Sequence, residues 1–222
     1  NMEAVRRTHN DIKRSLIQHV SKPGIRVLDV GSGFGGDLKK WSNCGVKLSM
    51  CDPNADALCE ARKRANDMNL HVRFYDGDIS ACPRQTFDVI CFNFSIQYIF
   101  SSERYFFSTL KEIKKRLKTG GKLIGCLPNS DFIMLNESFQ DNLGNYFVRK
   151  CDTGYGQFGE KIHVYLTDTP YYTDGPIAEP IAYKDLLVTH LERMGIQLQS
   201  WIPFQTEHEI SKLYSQFIFV NI

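Results

Sequence analysis

The chain has 222 residues, 42% of them hydrophobic, and its 27 basic and 25 acidic residues give a net charge of +2. This is enough for one well-buried domain over residues 1–222, and nothing indicates a second. A nearly neutral chain is not a strongly basic nucleic-acid binder, so any contact with an anionic ligand must be local. No apolar run approaches the ~20 residues of a membrane span, and the first residues lack the form of a signal peptide, so we expect no membrane contact.

The seven cysteines form no C-x-x-C pair, and several of them fall in predicted strands. This pattern favours reduced, buried thiols in an intracellular protein over disulfides or zinc ligands. The six histidines are scattered, without the spacing that binds metals, so we predict no metal site. Neither a Ser-His-Asp nor a Cys-His signature is identifiable, and nucleophilic catalysis is not expected.

The first predicted element is a helix over residues 3–20. Apolar side chains share one of its faces, and a second face carries basic residues, namely Arg6, Arg7, Lys13 and Arg14. The basic face is interpreted either as a solvated surface or as one that faces phosphate groups, and the sequence leaves both interpretations open.

The next stretch combines a buried strand, a glycine turn and the start of a helix. Residues 25–30 predict a parallel strand, Gly31, Gly33 and Gly36 follow it, and a helix begins near Gly36 or Asp37. Glycines adopt dihedral angles closed to other residues and let a ligand approach the main chain, while a helix start offers unpaired N–H groups. This combination predicts a cradle of nucleotide size.

Strands and helices alternate after this turn. Strands are predicted at 46–51, 71–75, 87–93 and 122–126, with helices at 55–67 and 104–117, the latter ended by Gly120 and Gly121. The alternation predicts an α/β fold in which helices cover both faces of a parallel sheet. Ligands of such a sheet bind at the carboxyl ends of its strands.

Residues 127–182 interrupt the alternation and contain one alternating strand candidate, at 162–166. Because the insert leaves the sheet at its ligand-binding edge, it is predicted to cover a substrate. A helix at 183–194 follows. Strands at 196–201 and 213–220 then predict an antiparallel hairpin at the sheet edge.

Three acids at the ends of predicted strands indicate the ligand. Asp29 precedes the glycine turn, Asp52 ends the second strand where a ribose-binding carboxylate belongs, and Asp78 follows the third strand, where an adenine amino group could be met. The glycine spacing also suits NAD, but Asp29 favours a cationic ligand over a pyrophosphate. Together the acids resemble the S-adenosylmethionine (SAM) site of class I methyltransferases. The resemblance implies SAM as cofactor and a mostly parallel, Rossmann-like sheet of seven strands.

Four segments in order resemble motifs of the messenger-RNA cap guanine-N7 methyltransferase family. The family motifs are Q-F-S/A-x-H-Y-x-F, G-x-G-x-G-G-D-L-x-K-[WY], P-x-x-E-[YF]-[LIV] and I-Y-x-x-F-x-F, and they correspond to residues 92–100, 31–41, 176–181 and 213–219. The four segments extend over nearly the whole chain. The resemblance implies transfer of a methyl group from SAM to N7 of the cap guanine of 5′-capped RNA.

The resemblance assigns each site residue to one of two ligands. Positions that hold SAM correspond to Asp29, Gly31, Ser32, Gly33, Asp37, Asp52, Asp78, Ile79, Asn93 and Phe94. Positions that enclose the cap guanine correspond to Asn10, Phe94, Gln97, Tyr98, Pro128, Glu179 and Tyr214. Four positions depart from the family pattern: Phe34 replaces lysine, Asn93 replaces Gln, Gln97 replaces His and Asp11 replaces Trp.

Glu179 is the cap residue with the strongest physical argument. A carboxylate between Ala178 and Pro180, amid apolar neighbours, needs a partner if it is buried. The N1–H and N2–H₂ groups of guanine form a paired donor edge that a carboxylate accepts. Aromatic residues such as Phe94 and Tyr214 are equally explained as parts of the core without the resemblance.

Guanine N7 has a free lone pair at neutral pH, so no catalytic acid or base is predicted, and catalysis is expected from proximity and orientation. Two other functions remain open: a SAM-dependent small-molecule methyltransferase and a catalytically silent SAM-fold module of a capping assembly. An NAD-dependent enzyme is a weaker alternative.

The motifs most resemble the methyltransferase domains of capping enzymes from large cytoplasmic DNA viruses, of the African swine fever virus type. This implies a cytoplasmic location, in viral factories or the virion. It also implies a longer polypeptide that carries guanylyltransferase and triphosphatase domains, with the present domain monomeric.

Overall fold

A computed structural model describes residues 2–136, 138–151 and 157–222. Its helices are α1 (Met2–Val20), α2 (Leu38–Ser42), α3 (Ala55–Asp67), α4 (Glu103–Arg116), α5 (Ser130–Leu135) and α6 (Lys184–Arg193), with 3₁₀ turns at Ile79–Ala81, Ile96–Ser101 and Glu209–Leu213. Its strands are β1 (Arg26–Val30), β2 (Lys47–Asp52), β3 (Val72–Asp76), β4 (Phe87–Asn93), β5 (Leu117–Pro128), β6 (Ser138–Gln140), β7 (Tyr146–Lys150), β8 (Lys161–Leu166), β9 (Ile177–Pro180), β10 (Ile196–Pro203) and β11 (Tyr214–Asn221).

The main sheet has seven strands in the order β10-β11-β5-β4-β1-β2-β3. Strands β1 to β5 run parallel, whereas β11 is antiparallel to both β5 and β10. The predicted α/β architecture and the closing hairpin at the edge are therefore confirmed. The strand order reverses between β1 and β4, and the carboxyl ends of two such strands open a crevice for a ligand.

Each face of the main sheet buries its own apolar cluster. Val27 and Met50 pack on the face covered by α1 and α2, and Leu28 and Ile90 pack on the opposite face beneath α4. Trp41 of α2 is fully buried, and burial of one large apolar side chain contributes about 1.5–3 kcal/mol. The two clusters hold the ends of β1 and β4 in fixed positions.

The prediction that Gly120 and Gly121 end a helix is wrong. Helix α4 stops at Arg116 and β5 begins at the next residue, so both glycines lie inside the strand. The pairing of β4 with β5 shifts register between Phe87 and Val89, which leaves a bulge in β5. A Cβ at Gly121 would lie 2.7 Å from the Lys118 carbonyl oxygen, so glycine is required by the close approach of the backbone.

The insert after β5 forms a second sheet, which is antiparallel and ordered β6-β7-β8-β9. The predicted strand at 162–166 is confirmed as β8, but the sequence did not predict the other three strands of this sheet. They have three to five residues each, too few for a clear alternation. In the register of this sheet Glu179 of β9 lies opposite Ile162 of β8.

No group of three or more His, Cys, Asp or Glu side chains among the described residues could hold a metal ion. None of the described helices is both long and apolar enough to cross a membrane.

Candidate functional site

A cavity of about 390 Å³ lies at the carboxyl ends of β1 and β4, between α1 and the insert. It brings together most of the predicted site residues, namely Asn10, Asp29, Gly31, Ser32, Asp37, Asn93, Phe94, Tyr98, Glu179 and Tyr214. Residues of both predicted groups, for SAM and for guanine, therefore face one space. Such a volume is within the range of small-molecule sites.

The glycine turn forms the floor of the cavity. Gly31 has a φ of +71°, and a Cβ there would lie 2.4 Å from Cβ of Ser95, so no other residue fits. The amide of Gly33 donates to Oδ2 of Asp52 at 2.7 Å, which ties the turn to the end of β2. The hydroxyl of Ser32 is buried without a hydrogen-bond partner among the described residues, and it is free to meet a ligand.

Asp29 and Asp37 lie side by side with opposite electrostatic surroundings. Burial, followed by the charge of Asp37, raises the pKa of Asp29 to about 8, and its one side-chain hydrogen bond among the described residues comes from the indole N–H of Trp41 at 3.3 Å. Burial alone would raise the pKa of Asp37 too, but Lys13 and Lys40 hold it at about 2. Asp29 is therefore the carboxylate that still needs a positive partner.

Lys13 is a site residue whose position the sequence did not reveal. Its Nζ lies 2.7 Å from Oδ1 of Asp37, and Lys40 reaches the same oxygen at 2.9 Å. Although burial opposes its charge, the pKa of Lys13 is raised because Asp37 outweighs burial. The amide of Asn93 adds a hydrogen bond to Oδ2 of Asp37 at 3.1 Å. Lys13 is therefore not part of a solvated face, because it lines the cavity as a partly buried cation paired with Asp37.

The other cations considered for phosphate binding lie outside this cluster. Arg7 pairs with Glu3 and Arg14 with Asp11, both at the exposed surface. Arg6 lies at the mouth of the cavity, where its guanidinium donates to the carbonyl of Asp168.

Glu179 is 6% exposed, and three side chains donate to its carboxylate. Gln97 donates to Oε2 at 3.3 Å, while the hydroxyls of Tyr172 and Tyr98 donate to Oε1 at 3.2 and 3.5 Å. Burial raises the pKa of Glu179, and the three donors counteract this rise. The role of Tyr172 was not predicted. Although it lies only seven residues before Glu179, the fold of the insert is what brings its hydroxyl group to the carboxylate.

An aromatic cluster lines the cavity beside Glu179. Phe94 has a φ of +57°, which is rare for a bulky residue, and its ring stands edge-on to Tyr214 with centroids 5.1 Å apart. His9 of α1 stacks on Phe94 at 5.8 Å and bonds to the hydroxyl of Ser211 at 2.8 Å. Strain retained in a cavity lining indicates a functional requirement for the orientation of Phe94.

Tyr171 from the insert covers the glycine turn. Its hydroxyl oxygen lies 2.7 Å from a Cβ built on Gly33, and its ring meets Phe34 with centroids 5.4 Å apart. Phe34, which departs from the family pattern, thus contacts an aromatic side chain of the insert. Neither contact could be predicted from the spacing of these residues.

Six predicted residues are not among those that line the cavity, namely Gly33, Asp52, Asp78, Ile79, Gln97 and Pro128. Asp78 starts the 3₁₀ turn after β3, where it accepts hydrogen bonds from the backbone and side chain of Ser80. Ile79 is buried in the cluster beneath α4. Pro128 ends β5 directly opposite Tyr214 of β11. Gln97 is 2% exposed and reaches the cavity through Glu179.

Sequence similarity to known proteins extends over most of the chain. Residues 2–205 match the sequence model of the family described as mRNA (guanine-N(7))-methyltransferase domain. The chain belongs to this family. The resemblance inferred from four motifs is confirmed at the level of the family.

Two fungal members of the family are longer than this chain, and the matched regions cover only part of each. The chain is 35% identical over 145 residues to the mRNA cap guanine-N(7) methyltransferase of Schizosaccharomyces pombe, covering 59% of this chain and 40% of that protein. It is 31% identical over 229 residues to the Candida glabrata protein of the same name, covering 95% of this chain and 52% of that protein. The chain therefore spans about half or less of each relative.

The fold is shared with solved methyltransferase structures. An S-adenosylmethionine-dependent methyltransferase from Clostridium acetobutylicum superposes with a TM-score of 0.64 at 15% identity, covering 96% of this chain and 89% of that chain. The similarity confirms the predicted class I, Rossmann-like methyltransferase fold.

Proposed function

We propose that this domain transfers a methyl group from SAM to N7 of the guanine in the GpppN cap of messenger RNA. One observation carries the proposal: a single cavity is lined by a buried Asp29 at the glycine turn, without a cationic partner among the described residues, and by a buried Glu179 of the insert that accepts three hydrogen bonds. The first suits a cation and the second suits the donor edge of a purine. Membership of the cap methyltransferase family supports both assignments.

The residues at the glycine turn fit SAM. Asp29 would accept the positive charge near the sulfonium and ammonium groups, and Lys13, held by Asp37, would meet the carboxylate of the same ligand. Two further buried polar atoms could bind SAM: the hydroxyl oxygen of Ser32 and the side-chain oxygen of Asn93. Neither has a hydrogen-bond partner among the described residues. Asp52, at the end of β2, is assigned to the ribose hydroxyls, and Asp78 with Ile79 to the adenine.

The insert side of the cavity fits guanine. A carboxylate has about four acceptor positions, and three of those on Glu179 are already used. Two donors from guanine therefore displace one existing bond, and the longest, from Tyr98 at 3.5 Å, is the weakest. Phe94 and Tyr214 supply aromatic faces, on which nucleobases stack, and Asn10 and Gln97 complete the polar contacts.

Catalysis then follows from position and charge. When bound, SAM supplies a methyl group activated by its sulfonium. No residue of the chain is assigned as an acid or base, because N7 of guanine carries no proton to remove. Fixing the two ligands in line contributes ~7–11 kcal/mol. Glu179 binds the base more strongly as positive charge develops on the ring, so part of its effect belongs to the transition state.

The test is methyl transfer from labelled SAM to GpppA-capped RNA, uncapped RNA and GTP, with nuclease release to locate the methyl group. Glu179→Gln is expected to lower kcat/KM by about 100-fold or more, since hydrogen bonds to charged groups contribute ~1.5–3 kcal/mol each. The exposed Glu207→Gln is the matched control. Methylation of GTP or free small acceptors in preference to capped RNA, or SAM binding without any transfer, would contradict the proposal.

We also propose a viral source for the domain, from a multifunctional capping enzyme that acts in the host cytoplasm, with guanylyltransferase and triphosphatase domains on the same polypeptide. The support is the motif resemblance; the two relatives described above are cellular fungal proteins. We further propose that residues 1–222 act as one monomeric domain in which 127–182 covers the cap.

A further inference from the structure

A second groove, of about 440 Å³, lies at the amino ends of β1, β2 and β3, at the opposite edge of the sheet from the candidate site. Its rim carries the cations Arg26, Lys47 and Arg73, together with His71. The parallel register pairs Arg26 with Lys47 and Ser49 with Arg73. Because paired residues share a face and residues two apart in a strand share it too, all of these side chains project from one face of the sheet.

This face is open because the chain between β3 and β4 is short. Residues 77–86, all of them described, form one 3₁₀ turn, Ile79–Ala81, and otherwise no helix. Helix α4 packs Phe106 and Leu110 against Ile90 on this face. No helix covers the same face of β2 and β3 within the described part of the chain. Lys47 and Arg73 lie on this face, and both side chains are exposed to solvent.

The rim cations have no carboxylate partners within the described part of the chain. None of Arg26, Lys47 or Arg73 forms a side-chain ion pair there. The nearby carboxylate of Asp88 accepts from the backbone N–H of Arg26 at 2.9 Å and from Lys118 at 3.4 Å. The net charge of the whole chain is only +2, so the unpaired cations of the rim make this groove a local concentration of positive charge.

The cations of the groove lie on three neighbouring strands, which suits an extended chain of phosphates rather than a single small anion. Beside the cations lie Ser49 and the amide of Gln85, which provides both a donor and an acceptor, while the side chain of Phe87 is buried in the core beneath α4. A row of exposed cations with polar side chains beside it suits the phosphates of an unpaired strand, whose backbone such a positively charged groove follows.

We propose that this groove binds the single-stranded RNA that follows the cap. The link to a capped substrate rests on the proposed function. β1 has five residues between the groove and the glycine turn, or roughly 17 Å of strand at ~3.3 Å per residue. A cap dinucleotide cannot bridge that separation, whereas a longer transcript can, so the groove strengthens binding of long substrates only.

The test compares Lys47→Ala/Arg73→Ala with wild-type protein and with Lys63→Ala/Lys111→Ala, a control at two exposed cations elsewhere. Methyl transfer is measured on a cap dinucleotide and on a long capped RNA, and binding of an uncapped single-stranded RNA is measured by fluorescence anisotropy over a range of salt concentrations. For the groove variant we expect KM for the long RNA to rise several-fold, with kcat and KM for the dinucleotide unchanged. The salt dependence of RNA binding should weaken by about 0.7 in log–log slope per cation removed.

Equal KM values for the long RNA in the groove variant and the control would overturn the proposal, and so would RNA affinity that the groove variant retains in full. Either result is expected if the groove instead receives an acidic protein. Failure of wild-type protein to methylate the dinucleotide would contradict the proposed function alone, because anisotropy with uncapped RNA still tests the groove.

Discussion

Two neighbouring aspartates at the glycine turn have different roles because their partners differ. Asp37 is neutralised by Lys13 and Lys40 and serves to position Lys13 in the cavity. Asp29 has only the indole N–H of Trp41 among the described residues, and burial raises its pKa. In the free protein its carboxyl group is therefore largely protonated at neutral pH, and a bound cation would favour release of that proton.

Asp29→Asn is expected to make the free protein more stable at pH 7 and to abolish SAM binding. The pKa of the Asp29 carboxyl is about 8 in the folded state and 3.8 in the unfolded chain. Its contribution to the free energy of unfolding is therefore fully present at low pH. It decreases by about 1.4 kcal/mol per pH unit as pH rises from 3.8 towards 8. Asparagine keeps the shape and does not titrate. Thermal unfolding from pH 5 to 8, with and without SAM, measures both effects. Asp67→Asn, at an exposed site, should change neither, and a less stable Asp29→Asn protein that still binds SAM would contradict the assignment.

Helix α1 encloses the cavity through His9, which connects it to elements distant in sequence. The ring of His9 meets Phe94, Phe204 and Tyr214, and it bonds to Ser211. Burial, followed by the charges of Lys13 and His208, lowers the pKa of His9 to about 4. The helix is thus docked by a neutral imidazole.

Docking of α1 should weaken in acid. Because the pKa of His9 falls from 6.5 in the unfolded chain to about 4 in the fold, its contribution is present above pH 6.5 and is lost as pH falls towards 4. Between pH 6.5 and 5 the free energy of unfolding should decrease by up to about 1.4 kcal/mol per pH unit from this residue. Chemical denaturation across this range is the measurement. His9→Phe should flatten the slope and the exposed His19→Gln should not; an equal slope in all three proteins would disprove the role of His9.

At the scale of the whole molecule, one sheet connects the candidate site to both apolar clusters, so ligand binding and unfolding should be coupled. SAM at 100 times its Kd should raise the free energy of unfolding by about 2.7 kcal/mol, in a single transition. Calorimetry at several SAM concentrations tests this. Two separated transitions, only one of which shifts with SAM, would show that the sheet does not unfold as one unit.

The parts of this molecule that the sequence predicted are those determined by local pattern. The apolar runs of β1 and β4 and the glycine turn follow from short-range rules, and Asp29 is positioned by its place beside that turn. The pairing of Lys13 with Asp37 and the contact of Tyr172 with Glu179 were not predicted, because they depend on how α1 and the insert fold back over the sheet. The bulge at Gly121 was missed because glycines at that spacing equally suit the end of a helix.

The second sheet bears on how the proposed methyl acceptor could change during evolution. Glu179 and Tyr172 lie in one continuous segment between β5 and α6, whereas Asp29 and the glycine turn belong to the alternating strands and helices of the main sheet. On the proposed assignments, exchange of this segment would replace the guanine contact made by Glu179 and leave the proposed SAM contacts at the glycine turn in place. Chimaeras that swap residues 129–182 between relatives would inherit the acceptor preference of the segment's parent.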